Sequence, residues 1–290
     1  MHLSTKKTKD QFTFSKLWIF EEVLFFCALF AWAYVRGQEP SIRGLEKFMD
    51  FGFTNSALRG EYFPPKDMWL AGKSINYYYF GHVTGAVLTR LSNIPSYIAY
   101  NLILASIFAF GMVQSFSIAL NIAYVGFKKH AKLALLTATI AMFLVNLGGN
   151  LHTAYSLTEG YPNEKPVPLW ELAPKYTVAD LASPVASFEK LAENYWYPNA
   201  TRFIPLTIHE FPIYSYVVAD LHGHVYDIPF VLLTLALLWL FFEGSTRKND
   251  YIPQWLYALL LGFMAAIHYM TNAFDAPIYL ILTLLLFCGI

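Results

Sequence analysis

Charge and cysteine are both scarce in this 290-residue chain, and each shortage excludes a class of protein. Charged residues make up 14% of the sequence, whereas an ordinary soluble domain carries about 25%. The net charge is zero, which argues against the clustered positive surface of a nucleic-acid-binding protein. Two cysteines are too few for a disulfide-stapled scaffold. Cys27 and Cys288 both lie in apolar runs, and we expect two buried thiols.

Long apolar runs take the place of the missing charge. Hydrophobic residues make up 56% of the chain and the mean hydropathy is +0.40, so the sequence indicates an integral membrane protein. Aromatic residues make up 18%, and membrane interfaces account for part of that excess. The tyrosines are bunched, however, and bunching needs a further explanation.

Six apolar runs predict an all-α polytopic membrane protein with about six transmembrane helices. The runs cover about 17–35, 96–125, 133–147, part of 213–242, 255–270 and 276–290. Basic clusters precede the first run and follow the second and fourth, at Lys6, Lys7, Lys9, Lys16, then Lys128, Lys129, His130, Lys132, then Arg247, Lys248. Positive flanks face the cytoplasm, which predicts a plasma-membrane protein with a cytoplasmic N-terminus.

A short segment, Tyr77–Leu91, is better explained as an amphipathic helix lying at the membrane surface than as a span. Phe80, Val83, Val87 and Leu91 fall on one helical face, with His82 towards the other. If this segment does not cross, all three basic clusters lie on one side of the membrane. Two outer segments, about 36–95 and 148–212, then share the extracytoplasmic side.

We expect residues 1–290 to form a single transmembrane domain. The chain stops at Ile290 inside an apolar run, which suggests a fragment of a longer protein.

The first outer segment begins with two acids, Glu46 and Asp50. A carboxylate just outside the first span can act as a general base towards an acceptor hydroxyl, or bind a metal. Both acids are therefore catalytic candidates. A solvated loop acid or a helix cap is the ordinary alternative.

Three consecutive tyrosines, Tyr77, Tyr78 and Tyr79, precede His82. Their hydroxyl groups and the imidazole could contact a phosphate or a sugar, which makes all four candidate substrate-binding residues. An aromatic membrane anchor is the alternative.

A third group surrounds the outer end of the fourth run: His209, Glu210, Asp220, His222 and His224. On a helix Asp220, His224 and Asp227 would share one face, at spacings of four and seven residues. Ionisable groups at the end of a span are costly unless they serve a function. We take the five as substrate-binding candidates, with Asp220, His222 and His224 as candidate ligands of a divalent metal ion, although no specific metal spacing is present.

Arg202 and Asp275 complete the candidate site. An anionic lipid-phosphate substrate would need a cation, and Arg202 lies shortly before His209 and Glu210. Asp275 begins an Asp-Ala-Pro sequence in the last outer turn, where it either completes the site or caps a helix.

Several motifs resemble the YYY membrane-protein family of archaea and Chloroflexi-type bacteria, a domain of unknown function. They are Glu46–Asp50, Tyr62–Asp67, Trp69–Gly72, Ile75–His82, His209–Pro212, Ala219–His224 and Asn272–Asp275. The chain has Gly223 and His209 where the family pattern has Pro and Asn. The layout is also similar to GT-C glycosyltransferases, in which an acid in the first outer loop is followed by an amphipathic surface helix.

The GT-C resemblance implies transfer of a sugar from a polyprenyl-phosphate donor to an extracytoplasmic acceptor. Asp50 would orient or deprotonate the acceptor, while His82, Arg202, His222 and His224 would contact the donor phosphate. A metal-dependent enzyme of another class acting on lipid phosphates is one alternative. A transporter or non-catalytic assembly protein is another, which the missing internal repeat disfavours.

Overall fold

The computed structural model of the chain describes residues 7–128, 130–159, 167–176, 200–202, 204, 206–247 and 253–289. Apart from two isolated β-bridges, the regular structure in these ranges is helical, which confirms the all-α class. Of the predicted basic clusters, Lys6, Lys129 and Lys248 lie outside the described residues.

We number the helices in chain order over the described residues. They are α1 Lys7–Gln38, α2 Lys47–Arg59, α3 Phe80–Ser92, α4 Ser96–Gly126, α5 Ala131–Leu147, α6 His152–Ser156, α7 Pro212–Val218, α8 Gly223–Arg247, α9 Gln254–Thr271 and α10 Asp275–Gly289, with a 3-10 turn at Leu169–Glu171. Stretches of α1, α4 and α8 are long and apolar enough to cross a membrane: Lys16–Gln38, Ser96–Gly126 and Gly223–Thr246. Helices α5 and α10 are shorter apolar helices. A membrane protein with several apolar helices is thus confirmed, while the prediction of about six spans stays a prediction.

The chain divides into two compact units. One contains Met1–Asn146 and Tyr216–Ile290, and the other contains Leu147–Ser215, which corresponds to the second predicted outer segment. In the first unit α1 packs along α4, α8 packs against α4 and α9, and α9 packs against α10. The short helices α2 and α3 pack on each other, and α3 also contacts α4, α8 and α9.

Aromatic side chains join α1 to α4. Trp32 stacks on Phe108 with ring centroids 4.4 Å apart, and Phe25 lies 4.9 Å from Phe110. Such pairs contribute about 0.5–1.5 kcal/mol each beyond their buried area. Part of the aromatic excess therefore packs one helix against another, in addition to the rings in the outer segments.

The prediction of two buried thiols is wrong. Cys27 on α1 and Cys288 on α10 are both exposed. Both helices are apolar, so their outward faces suit lipid and their side chains need no protein neighbour there. An apolar run in a membrane protein does not distinguish these two environments.

The first outer segment contains two helices. Helix α2 occupies a stretch that the sequence pattern left irregular. Helix α3 begins at Phe80, so Tyr77 and Tyr78 precede it and Tyr79 stands at its N-cap position. The buried face of α3 carries small residues, His82 and Thr89, whereas Leu91 is 79% exposed. This division between a protein-facing and an outward apolar face is the one expected of a surface helix.

Candidate functional site

The site is built on the first turn of α2. Glu46 occupies the N-cap position but its side chain makes no capping hydrogen bond, and Asp50 lies about one turn further on. The partial positive charge of a helix N-terminus favours carboxylates at these positions. Asp50 has no exposed surface, whereas Glu46 is 63% exposed at its side chain. The pair therefore offers one buried and one accessible carboxylate.

His82 lies against the buried acid. Its Nε2 is 3.7 Å from Asp50 Oδ1, and its side chain is 1% exposed. Burial lowers the pKa of His82 to about 4, against the opposing attraction of Asp50, so the ring is neutral at pH 7. Among the described residues neither ring nitrogen of His82 and neither oxygen of Asp50 has a hydrogen-bond partner. Buried polar atoms without partners are costly, which marks this contact as a place where function overrides stability.

Small residues allow α3 to approach α8 closely enough to bury these groups. A Cβ on Gly81 would lie 2.6 Å from Tyr226 Cβ, and a Cβ on Gly85 would overlap the Tyr226 hydroxyl. The Tyr226 ring fills this space and meets the His82 ring edge-on, with centroids 5.2 Å apart. Glycine at both positions thus sets the depth of His82.

His222 connects the acids to the tyrosines. Its Nδ1 lies 3.2 Å from Glu46 Oε2 and 3.4 Å from Asp50 Oδ1, while its Nε2 lies 2.7 Å from the Tyr77 hydroxyl. The Tyr77 hydroxyl also hydrogen-bonds the Tyr78 hydroxyl at 2.6 Å. This chain of contacts holds the His222 ring with Nε2 towards the tyrosines and Nδ1 towards the carboxylates.

Protonation of the two rings follows from burial and charge. Burial alone would lower the pKa of His222, but its contact with Asp50 and the charges of Asp50, Asp220 and Glu46 outweigh burial and raise that pKa. Burial, the hydrogen bond with Tyr78 and the charges of Glu46 and Asp50 raise the pKa of Tyr77, which stays protonated. The carboxylates of the cluster therefore favour the protonated, positively charged form of His222.

Asp220 brings a second buried carboxylate to the cluster. One donor atom from each of Asp50, Asp220 and His222 lies within 4.8 Å of the other two. Two carboxylate charges at that separation repel by about 3 kcal/mol at an effective dielectric constant of about 20. Lys47, which is 8% exposed, interacts with the charge of Asp220, and burial lowers the pKa of Lys47. The sequence pattern favoured Arg202 over Lys47, because Arg202 lies shortly before His209 and Glu210.

The predicted helical face of Asp220, His224 and Asp227 is wrong. Helix α8 begins at Gly223, so Asp220 and His222 precede it, and this irregular turn lets both reach Asp50. Asp227 is buried and lies 2.8 Å from His268 Nδ1. Among the described residues His224 is outside the group that could hold a metal, although its ring centroid lies 5.6 Å from that of His222.

The remaining predicted residues are Asp275, in the first unit, and three residues of the second unit. Asp275 is the first residue of α10 and accepts a 2.8 Å hydrogen bond from Asn272 Nδ2. Arg202, His209 and Glu210 belong to the second unit. There Arg202 donates to Thr201 Oγ1 at 3.1 Å, His209 Nε2 lies 2.8 Å from Asn150 Nδ2, and Glu210 is exposed.

An aromatic groove adjoins the cluster. It encloses about 340 Å³ and is lined by Asn76, Tyr77, Tyr78, Tyr79, Phe80, Tyr269, Met270 and Ala273. Tyr77 and Tyr78 line this groove and also contact His222, so they form the boundary between aromatic and charged surfaces. A groove of this kind can hold a sugar ring or an isoprenoid chain beside a polar reaction centre.

The fold and this cluster define an all-helical membrane protein with a buried acid–histidine site. A model of the family described as uncharacterized membrane protein (DUF2298) matches residues 1–289. The chain therefore belongs to this family. No curated protein and no solved structure matches it.

Proposed function

We propose that the protein transfers a sugar from a polyprenyl-phosphate donor to a hydroxyl acceptor at the extracytoplasmic face of the plasma membrane. The observation that carries this proposal is the accessible Glu46 above the buried Asp50–His222 contact, beside an aromatic groove. A GT-C-like arrangement of the first span, the outer acid and a surface helix supports it.

Accessibility divides the two acids between two roles. Asp50 has no exposed surface and cannot receive a proton from a bulky acceptor directly. It acts as a positioning residue that holds His222, while Glu46 takes the proton of the acceptor hydroxyl. The acceptor oxygen bonds to the anomeric carbon, the bond from that carbon to the phosphate oxygen breaks, and polyprenyl phosphate leaves with the electron pair.

The groove suits the donor. The sugar ring or the first isoprene units would stack on Tyr77, Tyr79 and Tyr269, which places the phosphate towards His222. The exposed apolar face of α3 would keep the lipid chain at the level of the membrane surface. In this arrangement the tyrosines both anchor the segment at the membrane surface and bind the substrate, so the two alternatives from the sequence analysis hold together.

The test is donor consumption by the purified chain in vesicles. Short-chain polyprenyl-phosphate hexoses serve as donors and a membrane glycolipid extract as acceptor, and polyprenyl phosphate is measured by mass spectrometry. Glu46→Gln should lower the turnover rate by about 10²–10⁴-fold, because it removes the proton acceptor. Asp50→Asn loosens the hold on His222 and should lower the turnover rate by less than Glu46→Gln does.

Asp67→Asn is the matched control in the same outer segment. Asp67 Oδ1 accepts from the backbone N–H groups of Trp69 and Leu70, and the Oδ1 of asparagine can do the same. This variant should retain full activity. Full donor consumption by Glu46→Gln would overturn the proposal.

A second candidate is cleavage of a lipid phosphate by a metal-dependent enzyme, which the grouping of Asp50, Asp220 and His222 favours. The products distinguish the two reactions. Sugar transfer leaves polyprenyl phosphate and a glycosylated acceptor, whereas cleavage on the other side of the phosphate leaves polyprenol and a sugar phosphate.

A further inference from the structure

We propose that Asp50, Asp220 and His222 bind one divalent cation, with Zn²⁺ or Mn²⁺ as the fitting ions. Two carboxylates and one imidazole form a mixed oxygen and nitrogen donor set, which suits these ions better than Mg²⁺ or Ca²⁺. The ligand geometry carries this inference, and only the role of the ion towards a phosphate rests on the proposed function.

The distances between donor atoms match those of a metal site. Bonds of about 2.0–2.1 Å in a tetrahedral site place neighbouring ligands about 3.3 Å apart. His222 Nδ1 lies 3.4 Å from Asp50 Oδ1 and 3.2 Å from Glu46 Oε2. The donor atoms of the group of three all lie within 4.8 Å of one another, so side-chain rotation has to shorten any separation by at most about 1.5 Å to reach the tetrahedral value.

The orientation of His222 points to the same conclusion. Its Nε2 lies 2.7 Å from the Tyr77 hydroxyl, and its Nδ1 faces the carboxylates of Glu46 and Asp50. A metal-bound histidine usually donates its other N–H to a neighbouring oxygen, and the Tyr77 hydroxyl is placed to accept such a hydrogen bond.

Unpartnered buried groups supply an independent observation. Both oxygens of Asp50 and both ring nitrogens of His82 lack hydrogen-bond partners among the described residues, and both side chains are at least 99% buried. His82 Nε2 approaches Asp50 Oδ1 to 3.7 Å, so His82 is placed to orient the ligand Asp50 or to join the ligands. A cation would satisfy atoms that the protein alone leaves unsatisfied.

Charge explains what the ion would contribute. Glu46, Asp50 and Asp220 make the cluster acidic, and an anionic phosphate would be repelled from it. A divalent cation between the carboxylates offsets two of these three negative charges and offers an open position to a phosphate oxygen.

The experiment measures bound metal on the full chain, purified in detergent without a histidine tag and stripped with a chelator. After incubation with Zn²⁺ or Mn²⁺ and desalting, mass spectrometry should find about one ion per chain. His222→Gln and Asp220→Asn should each weaken binding by more than the roughly 10–100-fold typical of residues outside the ligand set. His224→Gln, two residues from His222, should bind metal like the wild type.

A second measurement guards against variants that fail to fold. Co²⁺ bound to the wild type should give a visible absorption spectrum that Zn²⁺ displaces, and this readout needs no variant. Absence of bound metal in the folded wild type, or unchanged binding in folded His222→Gln, would overturn the proposal. Because the readout is bound metal, the result does not depend on whether a sugar donor is consumed.

Discussion

Gly223 is the position where a single methyl group should do the most damage near the site. A Cβ there would lie 2.5 Å from Tyr78 Cε2 and would overlap the backbone carbonyl of Thr271. Ordinary contacts of a Cβ atom are 3.4–4 Å, so the neighbours must retreat by about 1 Å. The carbonyl of Thr271 belongs to α9 and cannot rotate away, and Tyr78 packs on Tyr77. Overpacking of this kind costs about 1–3 kcal/mol.

Thermal unfolding in detergent, followed by tryptophan fluorescence, measures this cost. At about 2–4 °C per kcal/mol, Gly223→Ala should lower Tm by about 2–12 °C. Gly262→Ala is the matched control, because Gly262 lies inside α9 with nothing within 4 Å of its Cβ position. That variant should be neutral or stabilising by up to about 1 kcal/mol. Equal Tm changes in the two variants would refute the close approach of α8, α9 and the tyrosine segment.

Three further predictions concern single side chains. The fold stabilises the charged form of His222 and so raises its pKa. The resulting contribution to stability is present below the ordinary pKa of about 6.5 and is lost as pH rises through the raised value. Tm of the metal-free wild type should therefore fall with pH above about 6.5, and His222→Gln should remove this dependence. Arg36 is 5% exposed and donates two hydrogen bonds to Asn101 Oδ1, at 2.9 and 3.1 Å. Asn101→Ala leaves these donors without an acceptor and should lower the free energy of unfolding by about 2–3 kcal/mol. The control Asn121→Ala, on the exposed side of α4, should change it by less than about 0.5 kcal/mol. Tyr77→Phe removes the hydroxyl that hydrogen-bonds His222 Nε2, and titration with Zn²⁺ should show affinity reduced by about 10–100-fold. Unchanged affinity would contradict the role of Tyr77 in orienting His222.

The membrane class and most helix positions could be predicted from the sequence, because apolar runs report directly on spanning length. The run at 96–125 corresponds to α4, Ser96–Gly126, and the run at 133–147 to α5, Ala131–Leu147. Helix α2 was missed because its residues mix polar and apolar types without a strong periodic pattern. Its importance comes from Asp50, which only contacts with α3 and the turn before α8 could reveal.

The composition of the candidate site was predictable only in part. The structure brings together seven residues that were selected from the sequence: Glu46, Asp50, Tyr77, Tyr78, His82, Asp220 and His222. The placement of Asp220 on one helical face with His224 and Asp227 was wrong, because the helix was extended across a turn that precedes α8. Lys47 and Tyr226 were not selected. No sequence rule says that Lys47 is buried or that Gly81 and Gly85 make room for Tyr226.

The glycine at position 223 shows how the structure changes a sequence comparison. A proline was expected there from the family pattern, yet any Cβ at this position meets Tyr78 and Thr271.

Photocrosslinking of a polyprenyl-phosphate donor tests the central claim most directly, since the claim places a lipid-linked phosphate at one cluster. The chain in vesicles is labelled with a donor that carries a photoreactive group beside the phosphate, and the modified peptides are mapped by mass spectrometry. We expect labels on the peptides that contain Glu46–Asp50, Tyr77–His82 and Asp220–His224, with loss of labelling when unlabelled donor is added in excess. Labels confined to other peptides, or labelling that excess donor does not reduce, would contradict the account.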